Sequence, residues 1–365
     1  MPFFEFILWN ASPEIFQIGS FPLRWYGLLF ASGFLIGQQI LIRIYKQEGK
    51  SEKHVETLTL YMIIATVVGA RLGHCLFYQP DYYLKNPIEI LKIWEGGLAS
   101  HGATLGILIA IYIYSKKTTG QSYLYVLDRL VITIALAGCL IRIGNLMNSE
   151  IIGKPTNLDT GFIFVNGTKT LLNDHFGELL EDVEIREGGK DTIINNRRYA
   201  GLDLTFEPLL NNISDTLLRE LVQNKVKDQL LYSSDPDVAD HIWVRDGAVP
   251  ITMGRKEEKP IATMHIFGIP RHPTQLYEAL MALCLFFFLF YTYEKTKERT
   301  PEGRIFGLFV VLLFSFRFAV EFLKEPQVEF ESTMDYNMGQ LLSIPLIIVG
   351  LFVLIKSYRK RDEIS

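Results

Sequence analysis

Residues 141–154 read "IRIGNLMNSEIIGK" and follow directly on the apolar run "RLVITIALAGCL". They gather Arg142, Asn145, Asn148 and Glu150 at the end of a stretch that would otherwise exclude charge. A guanidinium can grip a phosphate through two parallel hydrogen bonds. Amides and a carboxylate beside it can orient that guanidinium or bind hydroxyl groups. Arg71, Asp128, Arg129, Arg317 and Glu321 also lie in apolar stretches, and His101 stands at the start of one. An Arg or Asp at the centre of a bilayer costs about 2.5–3.5 kcal/mol, so such residues on separate helices are expected to converge or to reach an interface. Arginines at membrane depth, with polar residues toward one end, point to a site for an anionic lipid head group that opens to the outer leaflet. That chemistry does not by itself name a reaction.

Most of these residues carry a plain reading beside the functional one. Arg317 and Glu321, in "FSFRFAVEFLKEP", are spaced i,i+4 on one helix face and serve either an internal ion pair or a shared site. Arg129 is expected to snorkel toward an interface, and Asp128 to brace an arginine from another helix. Arg71, in "VVGARLGHCLFY", is expected to pair with Asp128 or Glu321, or to touch a ligand. His101 lies in "EGGLASHGATLG", where Gly97 and Gly102 leave backbone N–H groups open at a helix N-terminus, a favourable place for an anion. A lone histidine near an interface is more often structural. "RHPTQLYEA" sets Arg271, His272, Gln275, Tyr277 and Glu278 at the mouth of a further span, with Pro273 suited to a first helical turn. Tyr277 equally suits interfacial anchoring.

Helices long enough to cross a bilayer must position these groups. The 365-residue chain is 49% hydrophobic with a mean hydropathy of +0.19, values that fit a membrane bundle carrying a polar domain. Its net charge of −4 argues against nucleic acid as a partner. A bilayer core requires about 20 apolar residues per helix. Seven stretches qualify, near 22–42, 57–79, 97–115, 124–147, 273–293, 305–323 and 338–356. Basic residues concentrate in the loops at 43–53, 116–117 and 294–304 and in the C-terminal tail, whereas no Lys or Arg precedes Arg24. The positive-inside rule then places the N-terminus outside and the C-terminus inside. No cleavable signal peptide is expected. Pairs Gly33/Gly37, Gly69/Gly73 and Gly102/Gly106 permit close helix contact, and the last two adjoin Arg71 and His101 closely enough to shape a pocket. Cys75, Cys139 and Cys284 read as buried small hydrophobes, not as a disulfide or metal framework.

The expected fold is therefore an α-helical integral membrane protein: seven transmembrane helices with an inserted α+β periplasmic head. Its expected divisions are 1–148 (spans one to four), 149–272 (an enlarged head) and 273–365 (spans five to seven and a cytoplasmic tail). The head is acidic, with 14 Lys+Arg against 20 Asp+Glu from Ser149 to His272. "SDTLLRELVQNKVKDQLLY" predicts an amphipathic helix capped by Ser214 or Asp215 and apolar at Leu217, Leu218, Leu221, Val222 and Leu230. "GFIFV", "DTIINN" and "HIWVRD" predict strands.

At this point the residues resemble the bacterial prolipoprotein diacylglyceryl transferases. "RIGNLMNSEIIGK" (142–154) is similar to that family's signature. "RWYG" (24–27), "GGLASHGATLG" (96–106), "RHPTQLYE" (271–278), "FRFAVEFLKEPQ" (316–327) and "MGQLLSIPLIIVG" (338–350) are similar to its other blocks, in the same order. Four departures stand out: Ile141 for a usual glycine, Leu146 for a phenylalanine, Lys324 for an arginine, and a head longer than expected. The resemblance implies transfer of the sn-1,2-diacylglyceryl group of phosphatidylglycerol to the lipobox cysteine of a prolipoprotein signal peptide, at the bacterial inner membrane. It also implies functional roles for Tyr26, His101, Asp128, Arg142, Asn145, Asn148, Glu150, Gly153, Arg317 and Glu321.

A mechanism follows for those residues. Imidazoles titrate near neutrality, which makes His101 the best-matched base for a thiol of ordinary pKa near 8.5. Arg142 and Arg317 would stabilise the phosphate as it leaves. Glu150 and Glu321 would hold the arginines, while Tyr26, Asn145 and Asn148 position the lipid head group. Gly97, Gly102, Gly153, Asp128, His272, Gln275 and Tyr277 complete the expected substrate-binding set. The scheme needs no metal or other cofactor, and no HExxH, Asp-rich or Gly-rich phosphate motif is present. The alternatives are a proton-coupled transporter or lipid flippase with an anionic-lipid site, and a receptor-like binding protein resting on the head alone.

Overall fold

The computed structural model describes residues 6–19, 21–210, 213–326, 331 and 334–362, so Gln327 of the quoted block lies outside the described residues. The chain divides into two compact units. A helical unit comprises Gly27–Ile143, Glu278–Glu321 and Phe330–Ser365. A mixed unit comprises Met1–Tyr26, Gly144–Tyr277 and Phe322–Glu329.

Apolar runs between basic turns give seven long helices: α1 (Trp25–Gln47), α2 (Glu52–Phe77), α3 (Ser100–Lys117), α4 (Tyr123–Met147), α5 (Thr274–Thr296), α6 (Arg304–Val320) and α7 (Met338–Asp362). Among the described residues, six helices are long and apolar enough to cross a membrane, and the chain is a multi-pass membrane protein with an α+β region. The exception is α3. Its polar first turn, at Ser100, His101 and Gly102, and its terminal Lys116 and Lys117 shorten the apolar middle.

Small residues set the helix crossings. The backbones of α2 and α3 approach so closely that a Cβ on Gly73 would sit 2.7 Å from Gly102 Cα, and one on Gly69 2.5 Å from Gly102 O. The two glycine pairs near Arg71 and His101 thus pack against each other. Gly33 and Gly37 of α1 meet Ala137 and Thr133 of α4. The apolar interior of the unit, including Leu58, Ile111, Val131, Ile132 and Leu289, adjoins a buried polar cluster. Arg129 donates to Glu48 from Nε (3.1 Å) and Nη2 (2.9 Å) and lies 3.8 Å over the Tyr125 ring. Tyr125 and Tyr293 donate to the same carboxylate. Arg129 is only 1% exposed and does not snorkel, because the Glu48 carboxylate and the carbonyl and ring of Tyr125 satisfy it inside the fold. Cys284 is exposed on α5, unlike Cys75 and Cys139, which are buried.

In the mixed unit, alternating strands build an antiparallel six-stranded sheet. Its strands are β5 (Leu180–Glu187), β6 (Thr192–Ile194), β7 (Arg197–Pro208), β8 (Ile242–Trp243), β9 (Ile251–Lys256) and β10 (Lys259–Gly268). The order is β5-β7-β10-β8, with β6 on β7 and β9 on β10. Asn195 and Asn196, both left-handed, turn β6 into β7, as a tight hairpin requires. Leu202, Leu204, Phe206, Ala262, Met264 and Ile266 point to one face and pack with Leu218, Val222, Val226 and Leu230. Those four lie on a helical stretch that starts at Asp215, is capped by the Ser214 hydroxyl and carries a π-turn at Leu221–Val226. Leu217, expected on the apolar face, is exposed instead. Earlier in the chain, β1 (Ile7–Trp9) pairs in parallel with β4 (Phe162–Phe164), and β2 (Glu14–Ile18) forms a hairpin with β3 (Phe21–Arg24). The hairpin explains why α1 starts at Trp25 and not near residue 22.

Candidate active site

The helical unit holds two partly accessible arginines, each against a buried carboxylate. Arg142 Nε lies 2.9 Å from Glu278 Oε2 in an ion pair, with side-chain exposures of 21% and 7%. Arg317 Nη2 lies 3.6 Å from Glu321 Oε1, with exposures of 40% and 7%. The i,i+4 spacing thus forms the expected pair on a single helical surface. Glu321 also accepts from Asn337 Nδ2 at 3.1 Å, and Gly339 lets α7 approach it: a Cβ there would meet Oε1 at 2.7 Å. Asn337 and Gln340 cap α7 reciprocally, fixing the segment that reaches Glu321.

His101, in the first turn of α3, is exposed with its ring edge-on to Phe77 at 5.0 Å and tilted against Tyr78 at 5.8 Å. Gly102 serves the α2–α3 crossing. Gly97 has φ +68°, and a Cβ there would strike the His74 ring at 2.6 Å. Arg71 contradicts the expected pairing with Asp128 or Glu321. Its guanidinium donates to the carbonyls of Glu89 (2.6 Å), Ile90 (3.0 Å) and Gly96 (2.6 Å), tying down the segment that leads to His101. Asp128 is completely buried and accepts the backbone N–H groups of Gly303 (2.7 Å) and Phe306 (2.8 Å). It caps α6 from a neighbouring helix, a positioning role in place of the expected substrate contact.

The mixed unit presents the rest of the signature. Past the end of α4 the chain turns sharply: Ser149 (φ 55°) and Ile151 (φ 57°) are both left-handed without being glycine, a strained conformation on either side of Glu150. The exposed Glu150 carboxylate accepts from Asn145 Nδ2 (3.1 Å) and Asn148 Nδ2 (2.9 Å). Three donors from residues 271–275 hold three nearby carbonyls: Gln275 Nε2 on Glu150 O (2.5 Å), Thr274 Oγ1 on Ile151 O (2.9 Å) and Arg271 Nη1 on Gly153 O (3.1 Å). Gly153 N donates to His272 O at 3.0 Å, and a Cβ on Gly153 would lie 2.5 Å from that oxygen, so only glycine fits. Tyr26 packs on Gly144, and Leu146 is buried with Trp9, Phe162 and Phe164 as its neighbours. His272 Nδ1 lies 3.2 Å from the Tyr277 hydroxyl, and burial lowers its imidazole below the ordinary range. The Asp237 carboxyl is raised, first by burial and then by the charges of Asp235 and Glu150.

Glu48 and Asn337 are partners that the sequence reading does not name, while Arg271 and Glu278 are placed by it at the mouth of a span but given no role. Glu278 and Arg271 lie inside the quoted "RHPTQLYEA" block, so their proximity to His272 is the available signal. Glu48 is far in sequence from Arg129 and carries no local signal, and Asn337 shows only the cap it shares with Gln340, not its contact with Glu321.

The chain matches the family model described as prolipoprotein diacylglyceryl transferase over residues 13–356. It is 34% identical over 355 residues to a protein named phosphatidylglycerol–prolipoprotein diacylglyceryl transferase from Tolumonas auensis, covering 97% of this chain and 99% of that one. Proteins of the same name from Chloroherpeton thalassium and Porphyromonas gingivalis are 33% and 34% identical, over 98% and 97% of this chain and 96% and 95% of theirs. These coverages mean that relatives share the long head, which is therefore not an enlargement peculiar to this chain.

Proposed function

The chain belongs to the prolipoprotein diacylglyceryl transferase family, and on that premise we propose that it moves the sn-1,2-diacylglyceryl group of phosphatidylglycerol onto the lipobox cysteine of a prolipoprotein. The observation that carries this reading is the near full-length similarity to curated transferases, with every polar residue of the signature at 142–154 in place. Neither the family match nor its relatives favour the transporter or flippase alternative.

His101 takes the proton of the cysteine thiol. The thiolate sulfur attacks the glyceryl carbon that bears the phosphate ester, a C–S bond forms and the C–O bond breaks. Glycerol phosphate leaves with the electron pair and an additional negative charge. Arg142 and Arg317 stabilise that charge, a contribution of about 3–4 kcal/mol for one well-placed donor. Glu278 and Glu321 each hold one edge of these guanidiniums and leave the rest partly accessible. Asn145 and Asn148, oriented by Glu150, bind the head-group glycerol, and Tyr26 packs on Gly144 in the last turns of α4. His272 and Tyr277 border the acceptor peptide, whereas Gln275, fully buried and bonded to the Glu150 carbonyl, positions the turn instead of touching substrate.

In the bacterial inner membrane, α3 would be the seventh span, short because α2 covers it. The N-terminus and the sheet-bearing unit would face the periplasm and the C-terminus the cytoplasm. The distribution of Lys and Arg among the loops supports this orientation. The decisive test is purified protein in detergent with phosphatidylglycerol and a lipobox peptide, in the absence of any ion gradient. A peptide mass increased by the diacylglyceryl group is expected. An unmodified peptide, with lipid moved across a reconstituted bilayer, would refute the transferase reading.

A further inference from the structure

We infer that Arg271, clamped by Glu325, is the positioning residue that holds the strained turn at Glu150 in its working shape. The inference rests on the transferase reading only for its effect on rate. The side chain is 4% exposed and touches three segments far apart in sequence. Its Nε donates to Asp240 O at 2.8 Å. Its Nη1 donates to Gly153 O at 3.1 Å and to Glu325 Oε1 at 3.0 Å, while the Asp240 carboxylate stands 4.0 Å from Nη2. The backbone is fixed as well, since Arg271 and Phe162 exchange both N–H···O bonds, at 2.8 and 2.9 Å. The guanidinium is thus seated from several sides before it reaches the signature carbonyl.

That seat matters because the turn it serves is under tension. Two non-glycine residues in left-handed geometry, one of them β-branched, persist only where their surroundings over-determine them. Gln275 and Thr274 hold the carbonyls of Glu150 and Ile151, and Arg271 closes the series at Gly153. The strand-like pairing of Gly153 with Lys324 places the segment carrying Glu325 beside the same turn, with Lys154 N donating to Leu323 O at 2.7 Å. A planar fork can serve the Asp240 carbonyl, the Gly153 carbonyl and the Glu325 carboxylate together, whereas an ammonium cannot match that geometry. Glu325 acts through Arg271, and Arg271 acts through the turn. Neither is assigned a contact with substrate.

The experiment compares the full-length protein with Arg271→Lys, Arg271→Ala, Glu325→Gln and the double variant Arg271→Ala/Glu325→Gln. Two readouts are taken: hydrogen exchange of backbone amides in 149–154, and kcat and KM for lipobox peptide lipidation by phosphatidylglycerol. Arg271→Ala is expected to raise exchange in 149–154 and to lower kcat on the order of 100-fold, the scale of an ångström-sized misplacement. KM for the lipid should shift far less. Arg271→Lys should recover part of kcat, Glu325→Gln should lose several-fold, and the double variant should match Arg271→Ala alone. Unchanged exchange in Arg271→Ala, or additive losses in the double variant, would overturn the inference. If Arg271→Ala does not fold, Glu325→Gln decides: an unaltered turn and an unaltered kcat would sink it. An inactive wild type whose turn still loosens in these variants would refute the transferase reading and leave the clamp standing.

Discussion

Arg129 and Arg142 lie on the same helix of one protein and are treated in opposite ways. Arg129 is 1% exposed, doubly bound to Glu48 and covered by Tyr125. Arg71 and Arg271, at 3% and 4%, are likewise saturated, largely by backbone carbonyls. Arg142 and Arg317 keep 21% and 40% of their side-chain surface open while a nearly buried glutamate fixes one edge of each. A guanidinium that only stabilises a fold is buried and fully bonded, because an unmet N–H in low dielectric costs about 1–3 kcal/mol. A guanidinium that must receive a phosphate has to be held and still be reachable. On the proposed roles, exposure combined with a buried carboxylate partner separates the two classes where residue type alone does not.

The sharpest way to break this contrast is to remove Arg129. Arg129→Met strands Glu48 in the interior, and a buried pair broken on one side costs about 3–5 kcal/mol. A large fall in thermal midpoint in detergent is expected, with near-normal turnover per folded molecule. The companion variant Arg129→Met/Glu48→Leu should recover much of the stability, since apolar replacement of a buried pair is often neutral. Loss of turnover in a fully folded Arg129→Met would merge the two classes.

The opposite pattern is expected at the accessible pair. Arg142→Ala and Arg317→Ala should each lower kcat by about 100- to 1000-fold, the scale of losing one preorganised charge-stabilising donor. The thermal midpoint should also fall, because Glu278 and Glu321 are nearly buried and lose an ion-pair partner, but by less than in Arg129→Met, since the guanidinium side of each pair is partly solvated. Lipidation assays alongside thermal melts check both halves of the claim. Near-normal transfer by Arg142→Ala would remove it from the reaction.

How much of this was readable in the sequence depends on the distance over which each signal acts. The helices, the Arg317–Glu321 pair and the Ser214 cap are local, set by spacings of three or four residues, and all three are found. Asp128 and Arg71 show where local reasoning stops. Both look like ligands or ion-pair members because charge in an apolar run demands a partner. Their partners are main-chain groups at 303–306 and 89–96, which carry no side-chain signature. The same limit hid the two longest strands. β10, "KPIATMHIFG", alternates buried and accessible positions, but Pro260, Ala262 and Gly268 on its buried side mute the hydropathy pattern. The count of spans turns on α3, where the ends are polar and packing on α2, through glycine, replaces apolar length.

Asp128 offers a smaller test of the division between fold and chemistry. Asp128→Ala leaves two buried backbone N–H groups at the start of α6 without acceptors, a cost of about 2–4 kcal/mol. A lowered thermal midpoint with KM for the lipid unchanged is expected. A raised KM at unaltered stability would return Asp128 to the substrate-binding set.

The mixed unit carries the same contrast between sealed and open groups in its histidines, and pH reads it with the least disturbance. His241 is 5% exposed, and burial, assisted by the Arg271 charge, pushes its imidazole down to about 3. His265 is more open, with 34% of its side chain exposed and Nδ1 2.5 Å from Asp203 Oδ1. A folded pKa below the unfolded value means that the unfolded chain binds the extra proton first. The stability contributed by neutral His241 is therefore complete above the ordinary imidazole pKa of about 6.5 and is lost as pH falls from there toward 3. By pH ~5.5 the loss amounts to about 1.4 kcal/mol. Replacing His241 with phenylalanine, whose ring suits the neighbouring Phe164, removes the titrating group. Thermal melts of the two proteins between pH ~7.5 and ~5 should then diverge, with His241→Phe losing less stability on acidification. Parallel acid limbs would mean that the ring is protonated within the fold, and that burial in this unit does not seal a group as it does for Arg129.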